Sequence, residues 1–332
     1  MGCCFPAGIS YSKDAMKKGR YKALLAGVLI LSALVYAGTH YGDLTLFIEL
    51  LSHIDPFWIV IAGLLQVGTY IALAMVWYRA LSYNGILYPL EKLIPLAFAK
   101  LFADQAIPSG GISGIAFIVN AFRQRNVAGS IGMGVMLLSL LSYYVSYALV
   151  AVAALLTLWI YHDIHEWMIF VAALFFVFVV AVPGTLLLLM QWGRQDRLPA
   201  WLFRLPIIAG ILETFADVSN DAVRKPMLLV EATVYQTAIF VLDSATLWSM
   251  LHALGSNVSW LLAFPCFVVA SIVAMLSLIP LGLGTFEAAC VGLLVTLGIR
   301  VETALTATVL LRGFTLWLPM IPGLVLTRRE FR

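Results

Sequence analysis

The sequence predicts an all-α polytopic membrane protein with about six full spans and two re-entrant helical hairpins. Of its 332 residues, 62% are hydrophobic and 11% are charged, and the mean hydropathy is +0.99. A soluble domain would carry about a quarter charged residues. Two apolar stretches are broken by an Ile-Pro pair and glycines, at Gln105–Gly114 and Ser277–Glu287. In hydrocarbon such breaks persist only where they are packed in protein or line a wet cavity, so each predicts the tip of a re-entrant hairpin.

The full spans are runs of about 20 apolar residues bounded by polar ones, and the whole chain, 1–332, is predicted to be a single transmembrane domain. The spans are predicted at residues 22–39, 56–81, 130–160, 167–192, 227–253 and 303–326. Shorter apolar segments flank the breaks, at 92–107 and 115–122 and again at 260–279 and 286–299. In region 193–226, apolar residues recur every three or four positions among charges. This pattern predicts a cytoplasmic interfacial helix.

The distribution of Lys and Arg predicts the orientation, because cytoplasmic loops are enriched in these residues. With a cytoplasmic N-terminus and both breaks re-entrant, Arg300 lies outside, and Lys100 and Arg312 lie within the membrane. The other 17 of the 20 Lys and Arg residues, 20 minus these three, then face the cytoplasm. Full crossings at the breaks would instead put Arg123 and Arg125 outside. We therefore predict a multi-pass protein of the cytoplasmic (inner) membrane with both termini in the cytoplasm.

The same topology predicts an inverted repeat. The unit of span, hairpin and span occurs at 56–160 and again at 227–326, in opposite orientations. The two Ile-Pro pairs begin 51 residues after Pro56 and 52 residues after Met227. Inverted repeats whose broken helices meet near the midplane are the architecture of many secondary transporters.

Ionisable residues inside the predicted bilayer are costly and are therefore candidates for function. Lys100 and Asp104 lie four positions apart on one helix, so they share a face and can pair. Asp243 lies inside a full span, Glu287 follows the second break, and Arg312 lies near the middle of the last span. Two interpretations remain open for Arg312. It either meets a lipid phosphate in a polar cavity, or it pairs permanently with Glu287 or Asp243 and holds the repeats together.

The residues at the two breaks precede short half-helices, and a helix N-terminus with exposed N–H groups binds anions. Glycine lets an anion approach the backbone, and hydroxyl groups add donors. The alternative is that the glycines only allow tight packing of membrane helices. The candidate residues for substrate binding at the breaks are Ser109, Gly110, Gly111 and Ser113, and Gly282, Gly284 and Thr285.

No sequence pattern indicates a cofactor or a resident metal. The chain lacks a Walker A loop, a dinucleotide fingerprint, a Ser-His-Asp set and a zinc motif, which disfavours an ATP-driven pump and an enzyme. His162 and His165 have the spacing of a ligand pair, but no third ligand accompanies them, so we interpret them as ordinary loop residues.

The C-terminal third carries a recognisable pattern. It contains Ile279-Pro-Leu-Gly-Leu-Gly-Thr-Phe-Glu287 and then Gly298, Ala304, Arg312, Leu316-Trp-Leu-Pro319 and Gly323. This pattern resembles the membrane region of lysylphosphatidylglycerol synthases, a superfamily of flippase-like membrane proteins that also occur as stand-alone chains, some linked to hopanoid or dolichol-phosphate-sugar pathways. The resemblance implies lipid translocation, with Glu287 and Arg312 matching the polar motif.

The chain departs from that superfamily in two respects. It has no soluble aminoacyl-transferase domain, so we expect a stand-alone protein that does not itself make lysyl-lipid. Its first break continues Gly114-Ile-Ala-Phe117, where many relatives carry a Gly-Glu with an Arg soon after.

The leading functional hypothesis is a flippase that moves a phospholipid, an aminoacyl-phospholipid or a polyprenyl-phosphate-type lipid through a polar cavity between the hairpins. The expected partners are membrane lipids and either a second copy of the chain or a lipid-modifying enzyme, with no nucleic acid. One alternative is a polyprenyl-diphosphate phosphatase, because Pro108–Ser113 resembles the Pro-Gly-x-Ser-Arg-Ser signature of such enzymes, although the Arg is missing. Another alternative is a non-transporting accessory subunit.

Overall fold

The computed structural model describes residues 54–106, 112–161, 173–181, 184–185, 226–277 and 279–330. Within these ranges the chain is helical and has no strand, and four helices are long and apolar enough to cross a membrane. These findings confirm the predicted fold class, an all-α polytopic membrane protein. The predicted first span, most of the span at 167–192, nearly all of the interfacial region 193–226 and the tip of the first break lie outside the described residues.

Nine α-helices of the described chain, two of which precede a broken segment, have the bounds below, and a further helical segment covers 173–181. The first four are α1 (Pro56–Tyr83), α2 (Leu90–Ala106), α3 (Ile112–Arg123) and α4 (Gly129–Tyr161). The other five are α5 (Pro226–Ala253), α6 (Trp260–Leu276), α7 (Thr285–Thr296), α8 (Val301–Arg312) and α9 (Leu318–Glu330). We call α2 and α3 the first broken pair, and α6 and α7 the second broken pair.

Helices α1 and α5 have matching lengths and matching ends. Each has 28 residues, begins with a proline and is followed two positions after its last residue by a glycine with positive φ. Gly85 has φ +75° and Gly255 has φ +77°, conformations that favour glycine at the end of a helix. Both the starting prolines and these glycines are 170 positions apart (226 − 56 and 255 − 85). Helices α2 and α6 begin at the same spacing and have 17 residues each.

Helices α1 and α5 lie side by side and run antiparallel. The Ser249 hydroxyl donates to the Trp58 carbonyl oxygen over 2.7 Å near one end. At the other end, Arg79 forms a bidentate pair with Glu231 over 2.7 and 2.9 Å. If the span at 167–192 crosses the membrane as predicted, a re-entrant first break requires this antiparallel arrangement. Re-entry itself stays a prediction.

The buried apolar residues form two clusters, one around each broken pair. The first cluster joins α2 and α3 to the C-terminal half of α1, the N-terminal half of α4 and the start of α5, with Trp77 and Phe122 fully buried. The second joins α6, α7 and α8 to the C-terminal halves of α4 and α5. Equivalent neighbours recur: α2 packs against α1 and α9, and α6 packs against α5 and α4.

We predict that Gly323→Ala destabilises the protein. A Cβ at this position would lie 2.8 Å from the Phe98 carbonyl oxygen and 2.7 Å from the Phe102 Cβ, where α9 crosses α2. Because backbone cannot yield as a flexible side chain can, we expect a loss of about 1–3 kcal/mol in unfolding free energy. Denaturation in detergent micelles measures this loss.

The matched control is Gly292→Ala in α7, where a Cβ would meet nothing within 4 Å. Alanine is the better helix former by about 1 kcal/mol, so this variant should be as stable as the parent or more stable. Equal stability of the two variants would contradict the close approach of α9 to α2.

Candidate functional site

The second broken pair is joined by a turn with an unusual backbone. A 3₁₀ turn covers Pro280–Gly282, and within it Leu281 has φ 63° and ψ 2°. Gly282 and Gly284 also have positive φ, 59° and 84°. Positive φ is ordinary for glycine, but for leucine it costs free energy and marks a strained position. A Cβ at Gly282 would lie 2.6 Å from the Ala274 Cβ, so this turn can approach α6 only with glycine there.

Glu287 caps the helix that follows the turn. The Gly284 N–H donates to Glu287 Oε2 over 2.7 Å, three residues before the glutamate itself. The carboxylate therefore satisfies one of the backbone donors that a helix N-terminus leaves open, and its charge matches the positive end of the helix dipole.

Arg312 joins the same site from the end of α8. Its Nε donates to Glu287 Oε1 over 2.7 Å. Its Nη2 donates to the carbonyl oxygens of Leu281 and Gly282 over 3.1 and 3.2 Å. The guanidinium carbon lies 4.3 Å from the centre of the Phe286 ring. One arginine thus contacts a carboxylate and two carbonyls of the strained turn. It also lies over an aromatic face in a cation–π geometry.

The Arg312–Glu287 pair is largely buried but not closed. The side chains are 13% and 22% exposed. Among the described residues Nη1 of Arg312 has no acceptor, so the guanidinium keeps a donor for a further oxygen. The pair is electrically neutral as a whole.

The helix behind Arg312 is locally widened. Residues Gly313–Trp317 form a π-helical segment, and the Leu318 N–H donates to the Gly313 carbonyl five residues earlier. Pro319 follows and has no N–H to continue the α-helical pattern, which accounts for the widened turn. Single π turns are frequent at functional sites.

The first broken pair contains a second ion pair, and the carboxylate of this pair also caps a helix. Lys100 Nζ lies 2.7 Å from Asp104 Oδ2. Asp104 Oδ1 accepts from the Gly114 N–H over 2.9 Å, near the start of α3. In both broken pairs a carboxylate caps the helix after the break and a basic side chain pairs with that carboxylate. Ser109, Gly110 and Gly111, which were predicted here, lie outside the described residues.

The hydroxyl groups at the breaks bind the protein itself. Ser113 Oγ donates to the Ala103 carbonyl over 2.9 Å. Thr285 Oγ1 lies 3.1 Å from both the Gly282 carbonyl oxygen and Ser277 Oγ. These contacts hold α3 to α2 and α7 to the end of α6. The half-helix N-termini were predicted to bind an anion. At each of them an internal carboxylate already accepts a hydrogen bond from the backbone.

Asp243 stands apart from both ion pairs. Its Oδ1 accepts from the Gln66 amide over 2.9 Å, and the same amide lies 3.0 Å from Thr246 Oγ1. Of the two partners proposed for Arg312, the structure therefore brings it to Glu287. Sequence reasoning missed Gln66 and Phe286, although a glutamine within an apolar span was a visible signal. Among the described residues no group of three or more His, Cys, Asp or Glu side chains could hold a metal.

The chain matches a known protein family over most of its length. A family model described as the lysylphosphatidylglycerol synthase TM region matches residues 24–323, which is nearly the whole chain. No curated protein matches the chain.

We predict that the Arg312–Glu287 pair stabilises the fold through coupling rather than through independent contacts. Arg312→Ala leaves the largely buried Glu287 without its cation, and breaking such a pair costs about 3–5 kcal/mol. The double variant Arg312→Ala/Glu287→Ala leaves no unpaired charge, so its loss should be well below the sum of the single losses. Denaturation of all four proteins in detergent gives the coupling energy. Strictly additive losses would contradict the pair.

We predict that Leu281→Gly stabilises the protein. Leucine in the left-handed region costs about 1–2 kcal/mol, and glycine removes that cost. The neighbouring Leu283 is also exposed but has ordinary φ, so Leu283→Gly is the matched control. That control should lose about 0.5–1 kcal/mol because glycine adds backbone entropy to the unfolded chain. Destabilisation by both substitutions, measured by thermal unfolding, would remove the case for strain at Leu281.

Proposed function

The chain belongs to the lysylphosphatidylglycerol synthase transmembrane-region family, and from this membership we propose that it is a lipid translocase. Its substrate would be a phospholipid, an aminoacyl-phospholipid or a polyprenyl-phosphate-type lipid. The head group would cross the cytoplasmic membrane beside the second broken pair while the apolar tails stay in the lipid. The observation that carries the proposal is the Arg312–Glu287 pair at a broken helix in a membrane protein.

The ion pair has a structural role, because Glu287 caps α7 and Arg312 binds two carbonyls of the turn. Its position in a membrane protein also indicates a functional role. Ionisable residues within membrane segments usually line a substrate or ion pathway. A widened helical turn and a strained backbone turn flank the pair, and both features concentrate at functional sites.

The chemistry of the pair fits a lipid head group. Nη1 of Arg312 can bind a phosphate oxygen, which is the group that all three proposed lipid classes share. Glu287 can receive an ammonium group where the head group has one. Because the pair is neutral before the lipid arrives, a zwitterionic head group would leave the charge balance of the site unchanged.

Transport also needs access from both sides, and the helix arrangement supports it. Helices α1 and α5 have equal lengths and run antiparallel, and each broken pair packs against its own preceding helix. We propose that 56–160 and 227–326 are two inverted units that rock against each other around the site. We further propose that both chain termini lie in the cytoplasm.

We predict that Arg312→Ala/Glu287→Ala slows lipid transport strongly, beyond what any loss of stability accounts for. Loss of a hydrogen bond to a charged group costs about 1.5–3 kcal/mol, so the rate should fall about tenfold to a hundredfold. The assay uses proteoliposomes with a fluorescent phospholipid and, separately, a fluorescent polyprenyl phosphate. The two lipids report which head group the site accepts.

The matched control is Arg79→Ala/Glu231→Ala, which removes another arginine–glutamate pair from the same molecule. That pair lies at the ends of α1 and α5, with side chains 44% and 26% exposed, and exposed pairs contribute little. Its removal should leave transport unchanged. Undiminished transport by the Arg312→Ala/Glu287→Ala variant would refute the proposed site, and no transport by the parent protein would refute the proposed function.

A further inference from the structure

Asp243 is an ionisable residue that belongs to neither of the two ion pairs at the breaks. It lies on α5, ten residues before the last residue of the helix, which is about 15 Å at the rise of an α-helix. Helix α5 is apolar enough to span a membrane, so Asp243 is well inside it. Asp243 is half-buried where α1 and α5 pack together, and its neighbour Gln66 is 5% exposed.

The surroundings of Asp243 are polar but carry no positive charge. Its hydrogen-bond donor is Gln66, and the helices packed against α5 bring two titratable groups, Tyr70 on α1 and Tyr143 on α4, which interact with it electrostatically. On α8, Arg312 is engaged with Glu287. On α6 the titratable group is the thiol of Cys266, and it lies in the apolar cluster around the second broken pair. In the described part of the chain Asp243 therefore has no cation.

A carboxylate in this position is neutralised by taking up a cation. An unpaired charge in a low-dielectric interior is so costly that the group tends to bind a proton instead. The side-chain geometry favours a proton over a metal ion. The Gln66 amide turns its NH₂ group toward both Asp243 and Thr246, so it offers the site donors, whereas a hard cation needs several oxygen ligands.

The contact between a glutamine and an aspartate is not repeated at the equivalent positions of the two units. Gln66 and Gln236 are 170 positions apart, the same spacing as the starts of α1 and α5. Gln236 donates to the backbone and hydroxyl oxygens of Ser139, both over 3.3 Å, and meets no carboxylate there. The position 170 before Asp243 is Leu73. The glutamine position is thus repeated, but its partners differ, and only Gln66 contacts an acid.

We propose that Asp243 is a proton-binding site that couples lipid movement to a proton gradient. The carboxylate takes up one proton from one side of the membrane and releases it to the other, with no covalent change in the lipid. Gln66 is a positioning residue that orients the carboxylate. The coupling role rests on the proposed translocase function, whereas proton binding itself does not.

Proton binding is tested first, by infrared difference spectroscopy on the reconstituted protein during a pH titration. The parent should show a protonated-carboxyl band that Asp243→Asn removes. The control is Asp55→Asn, which changes the exposed N-cap of α1 and keeps a side chain that caps equally well. The band should persist in that control. If Asp243→Asn leaves the whole carboxyl titration unchanged, the proposal is overturned.

Coupling is tested in proteoliposomes that contain a fluorescent phospholipid and carry an imposed pH gradient. For one proton per lipid, a gradient of about one pH unit should shift the steady-state distribution of the lipid between the leaflets up to roughly tenfold. Asp243→Asn should abolish this shift, and Asp55→Asn should keep it. Transport by the parent without any shift would refute coupling alone, whereas no transport by the parent would refute the translocase.

Discussion

The structure depends on one constraint: a helix broken inside a membrane must find partners for the backbone groups that the break exposes. At the second break Glu287 accepts from a free amide, and Arg312 donates to two free carbonyls. The charges are therefore needed by the backbone before any substrate arrives. Because each side chain also binds the other, the two ends of the break are satisfied together, and the helix that carries Arg312 is fixed to the turn.

The same constraint suits the site to the lipid head group that we propose it binds. A phosphate oxygen offers Arg312 the kind of acceptor that the carboxylate and the carbonyls already provide. Binding can therefore exchange contacts of similar strength, rather than create a charge in an apolar medium. The strained Leu281 and the π segment after Arg312 lie on either side of the pair, so a change of partner at Arg312 reaches two irregular backbone elements.

Much of this architecture was predictable because the bilayer imposes it. Apolar length defined α1, α4 and α5, and the Ile-Pro and glycine pattern located both breaks within a few residues. The spacing of Lys100 and Asp104 predicted their pairing. The choice of Glu287 over Asp243 as the partner of Arg312 was not predictable, because it depends on how α8 packs against the second broken pair. The π segment and the positive φ of Leu281 were missed for a similar reason, since both arise from packing around a break.

The two broken pairs solve the same backbone problem with carboxylates from opposite sides of the break. At the second break the carboxylate is Glu287, from the helix that follows, whereas at the first it is Asp104, from the helix that precedes. With Asp104 on the Gly114 amide, the start of α3 has a carboxylate cap without an acidic residue at Gly114-Ile-Ala-Phe117. A Cβ at Gly114 would collide with that carboxylate, so the glycine and the aspartate depend on each other. Both breaks thus have a carboxylate cap with a basic partner, but the cap comes from the preceding helix at the first break and from the following helix at the second.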